Sequence, residues 1–235
     1  MPSDVPFARK FIGLLKFFHD EWKLDLLRSG CFYCNTPEFY RLSTLPGVSD
    51  RNENAIYTYR QSYDDSAVQV QVNDTLHDDV RAFTIQRSDS SDAYMHCWTM
   101  LSVPETEEEL QTLQSDLRRL RQEFGRQYAF IQFNNLSGFI EQLQTLVPQR
   151  LWCEQVLYSD KPSDWSITCK RVKYSYQREY RFGIIGCDFH KTTPLILEHS
   201  AGFRDFIAKN SRLALQDNAG TEIAVLIDPH AEVDV

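Results

Sequence analysis

The segment from Tyr174 to Ile185 constrains the fold most, because its side chains alternate in character as they do along a β-strand. One predicted face carries Gln177, Glu179 and Arg181, and the other face is mainly aromatic. The apolar residues after Arg181 indicate that the strand runs into a core. An amide, a carboxylate and a guanidinium are therefore expected side by side, either on a solvated sheet face or in a site.

The bulk composition is that of a globular protein with a sizeable core. Of the 235 residues, 42% are hydrophobic and 25% are charged, which argues against intrinsic disorder. The formal net charge of -8 repels nucleic acid at long range and disfavours a dedicated duplex-binding protein. The same charge suits a small-molecule enzyme or a protein that docks on basic partners.

The sequence also predicts a cytoplasmic protein with no membrane partner. No apolar run reaches the roughly 18 residues that a membrane-spanning helix needs. Residues 1–4 lack the basic start and the apolar stretch of a secretory signal peptide. In a reducing cytoplasm the six cysteines are expected to be free thiols.

Hydrophobic periodicity and turn residues predict a mixture of strands and helices. The predicted helices span 13–28, 104–124, 136–146 and a short stretch near 203–209. The predicted strands span 5–11, 31–35, 56–63, 67–72, 80–87, 94–102, 128–133, 151–158, 174–185, 195–197 and 222–227. Because no linker is long enough to divide the chain, residues 1–235 are predicted to form one α+β domain. Its sheet is expected to be mostly antiparallel, with flanking helices at one side.

Several common catalytic and metal-binding motifs are missing. Cys31 and Cys34 have the spacing of half a zinc knuckle, but no second pair exists and a strand would point the two thiols apart. Neither glycine-rich phosphate-binding motif occurs, nor does the G-x-S-x-G nucleophile elbow. His96 and Cys97 are strand neighbours on opposite faces, so they do not form a catalytic pair. No structural metal is predicted. The hydroxyl group of Thr99 either forms a hydrogen bond with the backbone or supports a bound ligand.

Two charged runs have competing interpretations. Acidic residues 105–109 suit a helix start, where the backbone dipole favours negative charge, although a metal or partner site would also use them. The arginines of the same helix either pair with nearby acids or contact nucleic acid. They are Arg118, Arg119, Arg121 and Arg126.

Three parts of the chain, taken in order, resemble a group of bacterial and phage proteins. Residues 26–33 with 36–40 give a leucine pair, a glycine, an apolar strand and a Phe-Tyr turn, and residues 50–53 give an Asp/Asn-Glu turn. Residues 174–181 give a strand of the pattern Tyr-x-x-Gln-x-Glu-x-Arg. This layout is similar to that of the ADP-ribosyltransferase superfamily, and the resemblance implies an ADP-ribosyltransferase-like fold with NAD as a substrate.

The resemblance implies catalytic roles for Glu179 and Gln177. Glu179 would stabilise the positive charge that develops on the ribose as the bond to nicotinamide breaks, and Gln177 would orient the acceptor. The implied NAD-binding residues are Arg9, Tyr33, Tyr40, Thr99 and Arg181. Glu179→Gln is then expected to abolish activity with little change in melting temperature.

The favoured hypothesis is a NAD-dependent ADP-ribosyltransferase, a toxin or defence effector between phage and bacterium that modifies a protein or nucleic-acid acceptor. The alternative is a non-enzymatic acidic phage or bacterial protein that binds and inhibits a host or rival factor. In that case Glu179 and Arg181 are an ordinary ion pair on a sheet surface. A metal-dependent nuclease using Asp50, Glu53 and residues 64–65 is a third option, but the spacing of these acids defines no site.

Overall fold

The structure, a computed structural model, describes residues 11–62, 69–217 and 219–229. Arg9, most of the predicted strand 5–11 and the acids at 64–65 lie outside the described residues. The α-helices are α1 (Glu21–Arg28), α2 (Pro37–Leu42), α3 (Glu107–Phe124) and α4 (Phe133–Thr145). Two short 3-10 helices span Pro162–Asp164 and Val172–Gln177.

The strands of the described residues are numbered in chain order. They are β1 (Phe11–Phe18), β2 (Cys31–Cys34), β3 (Tyr57–Arg60), β4 (Val70–Val72), β5 (Thr75–His77), β6 (Ala82–Ile85), β7 (Ala93–Ser102), β8 (Gln127–Gln132), β9 (Leu151–Gln155), β10 (Leu157–Tyr158), β11 (Cys169–Lys170), β12 (Glu179–Ile185), β13 (Leu195–Glu198), β14 (Ile207–Lys209), β15 (Leu213–Gln216) and β16 (Glu222–Ile227).

A central six-stranded sheet has the order β14-β8-β1-β7-β12-β9, and neighbouring strands in it are antiparallel. The described residues also form five two-stranded sheets, and of these only the pair of β10 and β11 is parallel. These pairings confirm the prediction of an α+β fold with mostly antiparallel sheet. Among the described residues, no helix is both long enough and apolar enough to cross a membrane.

Helices cover both faces of the central sheet. Leu14 and Leu15 are neighbours on β1, so they point to opposite faces, and neither is exposed to solvent. Leu14 joins a core cluster with residues of α1 and α4, whereas Leu15 joins a second cluster with residues of α3. The prediction that the helices lie at one side is therefore wrong.

Burial on both faces also explains the largest error in the predicted elements. Residues 13–28 were expected to form one helix, but the chain forms β1 up to Phe18 and begins α1 only at Glu21. A strand buried on both sides is apolar at consecutive positions, and such a run does not show the alternation of a half-buried strand. The spacing of the leucines and phenylalanines in β1 therefore also fits the helical period, and it runs on into that of α1.

Three smaller differences concern short elements. The helix expected near 203–209 is a turn followed by β14, and strands β5 and β15 were not predicted. The predicted strand 174–185 exists only from Glu179 onward, because Val172–Gln177 is a 3-10 helix. Arg178 joins the two in the left-handed conformation, with a φ of 45°. These elements are too short to produce a clear hydrophobic period in the sequence, and a 3-10 helix joins residues only three apart through its hydrogen bonds.

Candidate functional site

The central sheet opens where β1 and β7 separate. The ladder between them ends with Leu15 opposite Thr99, although β1 stays paired with β8 as far as Phe18. Strand β7 stays paired with β12 down to Ala93. Beyond Leu15 the sheet therefore divides into two halves, and a cavity of about 330 Å³ lies in the opening. Sites for small ligands typically range from about 300 to 1,000 Å³.

The walls of this cavity combine aromatic side chains with a few charged and polar groups. Phe39, Tyr40 and Phe124 supply aromatic surface. Thr99 and Glu179 face the cavity from β7 and β12, where they stand directly opposite one another in the ladder. An apolar pocket with a few convergent polar groups is the usual form of a ligand site.

Glu179 is the most heavily engaged of the polar groups. Only 4% of the residue is exposed, and Arg181 Nε donates to its Oε1 at 2.6 Å. Lys170 Nζ donates to its Oε2 at 3.0 Å. The expectation of a surface ion pair between Glu179 and Arg181 is therefore wrong, because both side chains are buried.

Glu53 completes a buried cluster of two acids and two bases with Lys170, Glu179 and Arg181. Arg181 binds Glu53 through both terminal nitrogens, with Nη1 to Oε1 at 2.7 Å and Nη2 to Oε2 at 2.9 Å. Lys170 Nζ lies 3.7 Å from Glu53 Oε2. The formal charges of the four side chains cancel, which is the condition for keeping ions inside a protein.

Gln177 contacts the same cluster, but it does so from a different element than the predicted strand. It lies at the end of a 3-10 helix and shares no strand face with Glu179, because the left-handed turn at Arg178 intervenes. Its Oε1 nevertheless accepts a hydrogen bond from Lys170 at 3.2 Å, and its side chain lines the cavity. The expected juxtaposition of Gln177 and Glu179 holds, but a shared lysine produces it.

The loop between α2 and β3 forms the outer wall of the cavity and is held at several points. Gln177 Nε2 donates to the carbonyl of Gly47 at 2.7 Å, and Arg171 forms an ion pair with Asp50 at 2.9 Å. Glu53, near the end of the loop, is held by Arg181. The Asp-x-x-Glu segment that the sequence resemblance singled out thus anchors this wall to the floor of the cavity.

The electrostatic environment keeps Glu179 ionised. Burial alone would raise the pKa of its carboxyl group, but the charges of Arg181 and Lys170 outweigh burial and hold that pKa below its ordinary value. In turn, Glu179 and Glu53 raise the pKa of Lys170 against the effect of its own burial. Burial raises the pKa of the Cys97 thiol to about 12, so Cys97 is no thiolate nucleophile at neutral pH.

This shift predicts the acid sensitivity of the fold. A carboxyl group whose pKa is lower in the folded state stabilises the protein above its unfolded pKa, and that contribution is lost as the pH falls further. The free energy of unfolding is therefore expected to decline below about pH 4.3, by about 1.4 kcal/mol for each pKa unit of difference. Urea unfolding at a series of pH values measures this decline.

Two variants test the assignment of the acid-sensitive group. Glu179→Gln is expected to flatten the decline, because it removes the shifted carboxyl group. Glu222→Gln is the control, because Glu222 also has a lowered pKa through its hydrogen bond to Arg212 but is exposed. If wild type and Glu179→Gln lose stability in parallel between pH 5 and pH 3, about the range in which free carboxyl groups titrate, the acid sensitivity arises elsewhere.

The structure brings together four of the seven residues that the resemblance implicated. Glu179, Gln177, Thr99 and Tyr40 line the cavity. Arg181 lies behind Glu179 and orients it. Of the remaining two, Tyr33 is 44% exposed on β2 and is not in the cavity wall, while Arg9 lies outside the described residues.

Sequence reasoning missed three other residues of the site. Glu53 was considered only as a metal ligand, and Lys170 was not considered because its strand, β11, has only two residues. Lys16 also lines the cavity, but it lay in a segment expected to be helical. The Asp-x-x-Glu resemblance was the only available signal for Glu53, and no local pattern marks the two lysines.

A second buried ionic cluster lies outside the cavity. Arg41 pairs with Glu38 at 2.7 Å and with Asp92 at 2.9 Å, and Arg60 pairs with Glu38 at 2.9 Å. None of these four residues lines the cavity, but Arg41 Nη1 donates to the backbone carbonyl of Glu53, a residue of the cavity wall, at 2.8 Å. This cluster supports the loop and offers no surface to a ligand.

Among the described residues, no three His, Cys, Asp or Glu side chains are grouped as metal ligands would be. Compared with known proteins, the chain matches no family model, no curated sequence and no solved structure. The chemistry of the cavity therefore has to be argued from its own side chains.

Proposed function

We propose that this chain is a NAD-dependent ADP-ribosyltransferase that modifies a protein or nucleic-acid acceptor. The observation that carries the proposal is an ionised, buried carboxylate, Glu179, in the wall of a cavity of ligand size. A role in conflict between phage and bacterium rests on the sequence resemblance alone.

The chemistry requires a negative charge beside a ribose. When the bond from ribose C1′ to the nicotinamide nitrogen breaks, positive charge develops on the sugar and nicotinamide leaves as a neutral molecule. An acceptor nucleophile bonds to C1′ and loses its proton to water. A fixed carboxylate stabilises this charge most effectively where water is excluded. Glu179 is held in place by Arg181 and Lys170 before any ligand arrives, so it needs no reorganisation.

The pairing of Glu179 leaves it able to bind a ligand. Its two oxygens each accept one hydrogen bond from a cation and the Cys97 thiol is a third donor, whereas a carboxylate has about four acceptor positions. A ribose hydroxyl can donate to the remaining position from the cavity side. Tyr40 adds an aromatic surface on which a nicotinamide ring can stack, and Thr99 places a hydroxyl next to Glu179.

The proposal is tested with NAD that carries a label on the adenylate portion. Purified protein, labelled NAD and bacterial lysate are expected to yield labelled protein or nucleic acid together with free nicotinamide. Incubation without lysate measures slow hydrolysis of NAD by the protein alone. A folded protein that neither transfers label nor consumes NAD in any lysate would exclude the transferase.

The alternative is a non-enzymatic protein that binds a basic partner. The first turn of α3 favours it, because Glu107, Glu108 and Glu109 form an exposed acidic surface. In that case NAD is not consumed, and capture of a basic partner weakens as salt is added. Replacing these three residues with glutamine would abolish the capture, whereas Glu179→Gln would not.

A further inference from the structure

Three lysines line the cavity, and they differ in how their charge is balanced. Lys23 Nζ pairs with Asp20 at 2.8 Å. Lys170 Nζ lies 3.0 Å from Glu179 and 3.7 Å from Glu53, so acids compensate it fully. Lys16 Nζ donates to the backbone carbonyl of Cys97 at 2.7 Å. No carboxylate among the described residues forms an ion pair with Lys16, which leaves its ammonium group without a counter-ion.

The place of Lys16 in the fold explains this arrangement. It is the first residue of β1 beyond the last pair with β7, and its side chain extends across the opening between the two strands. The carbonyl of Cys97 lies on the part of β7 that has lost its β1 neighbour, and Lys16 satisfies it. One of the three ammonium N–H groups is used in this way, and the others remain for a ligand.

The surroundings of Lys16 favour the arrival of a negative group. Burial lowers the pKa of Lys16, and the nearby Cys97 and Glu179 offset that effect only in part. An anion placed beside the ammonium group would remove this cost of burial. His19 and Lys23 line the same cavity, but Lys23 is paired with Asp20, so Lys16 is the lysine of the cavity wall that has no acidic partner among the described residues.

We propose that the cavity binds the anionic end of a small molecule, a phosphate or carboxylate group, at Lys16. The apolar remainder of that molecule lies against Phe39, Tyr40 and Phe124, which face the same space. This assignment does not depend on NAD, because any ligand with a negative group and a flat ring has the required chemistry. The phosphate and carboxylate sources differ in shape, so separate probes distinguish them.

The test uses inorganic pyrophosphate and benzoate as probes, with the full chain at constant ionic strength. Calorimetric titration of the wild-type protein is expected to show saturable binding of at least one probe. Lys16→Met is expected to weaken that binding about tenfold or more, because it removes a charged donor of similar length. Lys16→Arg keeps the charge, and its affinity for the probe is expected to stay within a few-fold of that of wild type. This variant keeps the inference testable if Lys16→Met does not fold.

The control is Lys209→Met, because Lys209 pairs with Glu21 and Asp25 at the surface and does not line the cavity. It is expected to bind the probes as wild type does. The inference is overturned if wild type binds neither probe at about 10 mM, a weak-affinity limit, or if Lys16→Met binds as tightly as wild type. An equal loss in Lys209→Met would likewise overturn it, since the effect would then reflect overall charge.

The outcomes also separate this inference from the transferase proposal. Probe binding that depends on Lys16, in a protein that never consumes NAD, supports the anion site and excludes the transferase. NAD consumption by a protein that binds neither probe overturns the anion site and leaves the transferase standing.

Discussion

Glu179→Gln is expected to reduce the rate of NAD consumption by at least about 100-fold, the usual effect of removing one preorganised electrostatic contact to a transition state. Glutamine keeps the shape of the side chain and can still accept from Lys170 or Arg181. It carries no charge to stabilise the developing positive ribose. The release of nicotinamide from NAD, followed by chromatography, measures the change.

The same substitution is also expected to lower the melting temperature, and the earlier expectation of an unchanged melting temperature no longer stands. Glu179 is buried and balances two cations, so its neutralisation leaves Lys170 and Arg181 with Glu53 as their remaining acid. Removing one partner of a buried ion pair is costly because the other charge stays in place.

Asp92→Asn separates catalysis from stability. Asp92 is likewise buried, and it pairs with Arg41 at 2.9 Å, but it does not line the cavity. Both variants are expected to lose stability, and only Glu179→Gln is expected to lose activity at a temperature where both are folded. Equal activity in the two variants would contradict a role for Glu179 in the reaction.

Arg181→Met is expected to lower the free energy of unfolding by about 3–5 kcal/mol. Arg181 is only 1% exposed and binds both Glu53 and Glu179. Methionine fills much of the same volume but leaves Lys170 as the one cation, among the described residues, that still forms ion pairs with the two carboxylates. Urea unfolding monitored by tryptophan fluorescence measures the loss.

Arg212→Met provides a geometrically matched control at the surface. Arg212 binds Glu222 through both terminal nitrogens, at 2.6 and 2.8 Å, much as Arg181 binds Glu53. Its side chain is 46% exposed, and exposed ion pairs contribute only about 0–1 kcal/mol. If the two variants are destabilised to the same small extent, the buried cluster does not hold the structure together as argued.

A double variant tests the origin of the loss. Adding Glu53→Gln to Arg181→Met removes one of the two acids that the single variant leaves uncompensated. The double variant is therefore expected to be more stable than Arg181→Met alone. An additive loss from the two substitutions would indicate that lost hydrogen bonds, and not unbalanced charge, account for the effect.

The strands bounded by clear turn residues were the ones that sequence reasoning predicted well. Strands β7, β8 and β16 were found within a few residues because turns bound them, although β7 and β8 are buried on both faces. Strand β1 was mistaken for helix because it is buried on both faces and does not alternate in polarity. The 3-10 helix before β12 was missed because a tertiary network, not a repeating pattern, holds it.

Only the site residues that lie together in one short segment could be predicted from the sequence. Gln177 and Glu179 lie two residues apart, so one motif identified both. The inference that they share a strand face was wrong, because Gln177 lies in a 3-10 helix. Glu53 and Lys170 reach the same point from distant parts of the chain, and contacts of that separation leave no trace in local spacing. Only the folded structure brings them together.

The opening in the central sheet has a mechanical consequence. Among the described residues, the half that contains β14, β8 and β1 is joined within the sheet to the half that contains β7, β12 and β9 through four residue pairs, from Phe11–Ser102 to Leu15–Thr99. These pairs lie at one end of the opening, so a small rotation about them would change the width of the opening at its other end. A molecule that contacts Lys16 on one half and Glu179 on the other would hold the two halves at a fixed separation.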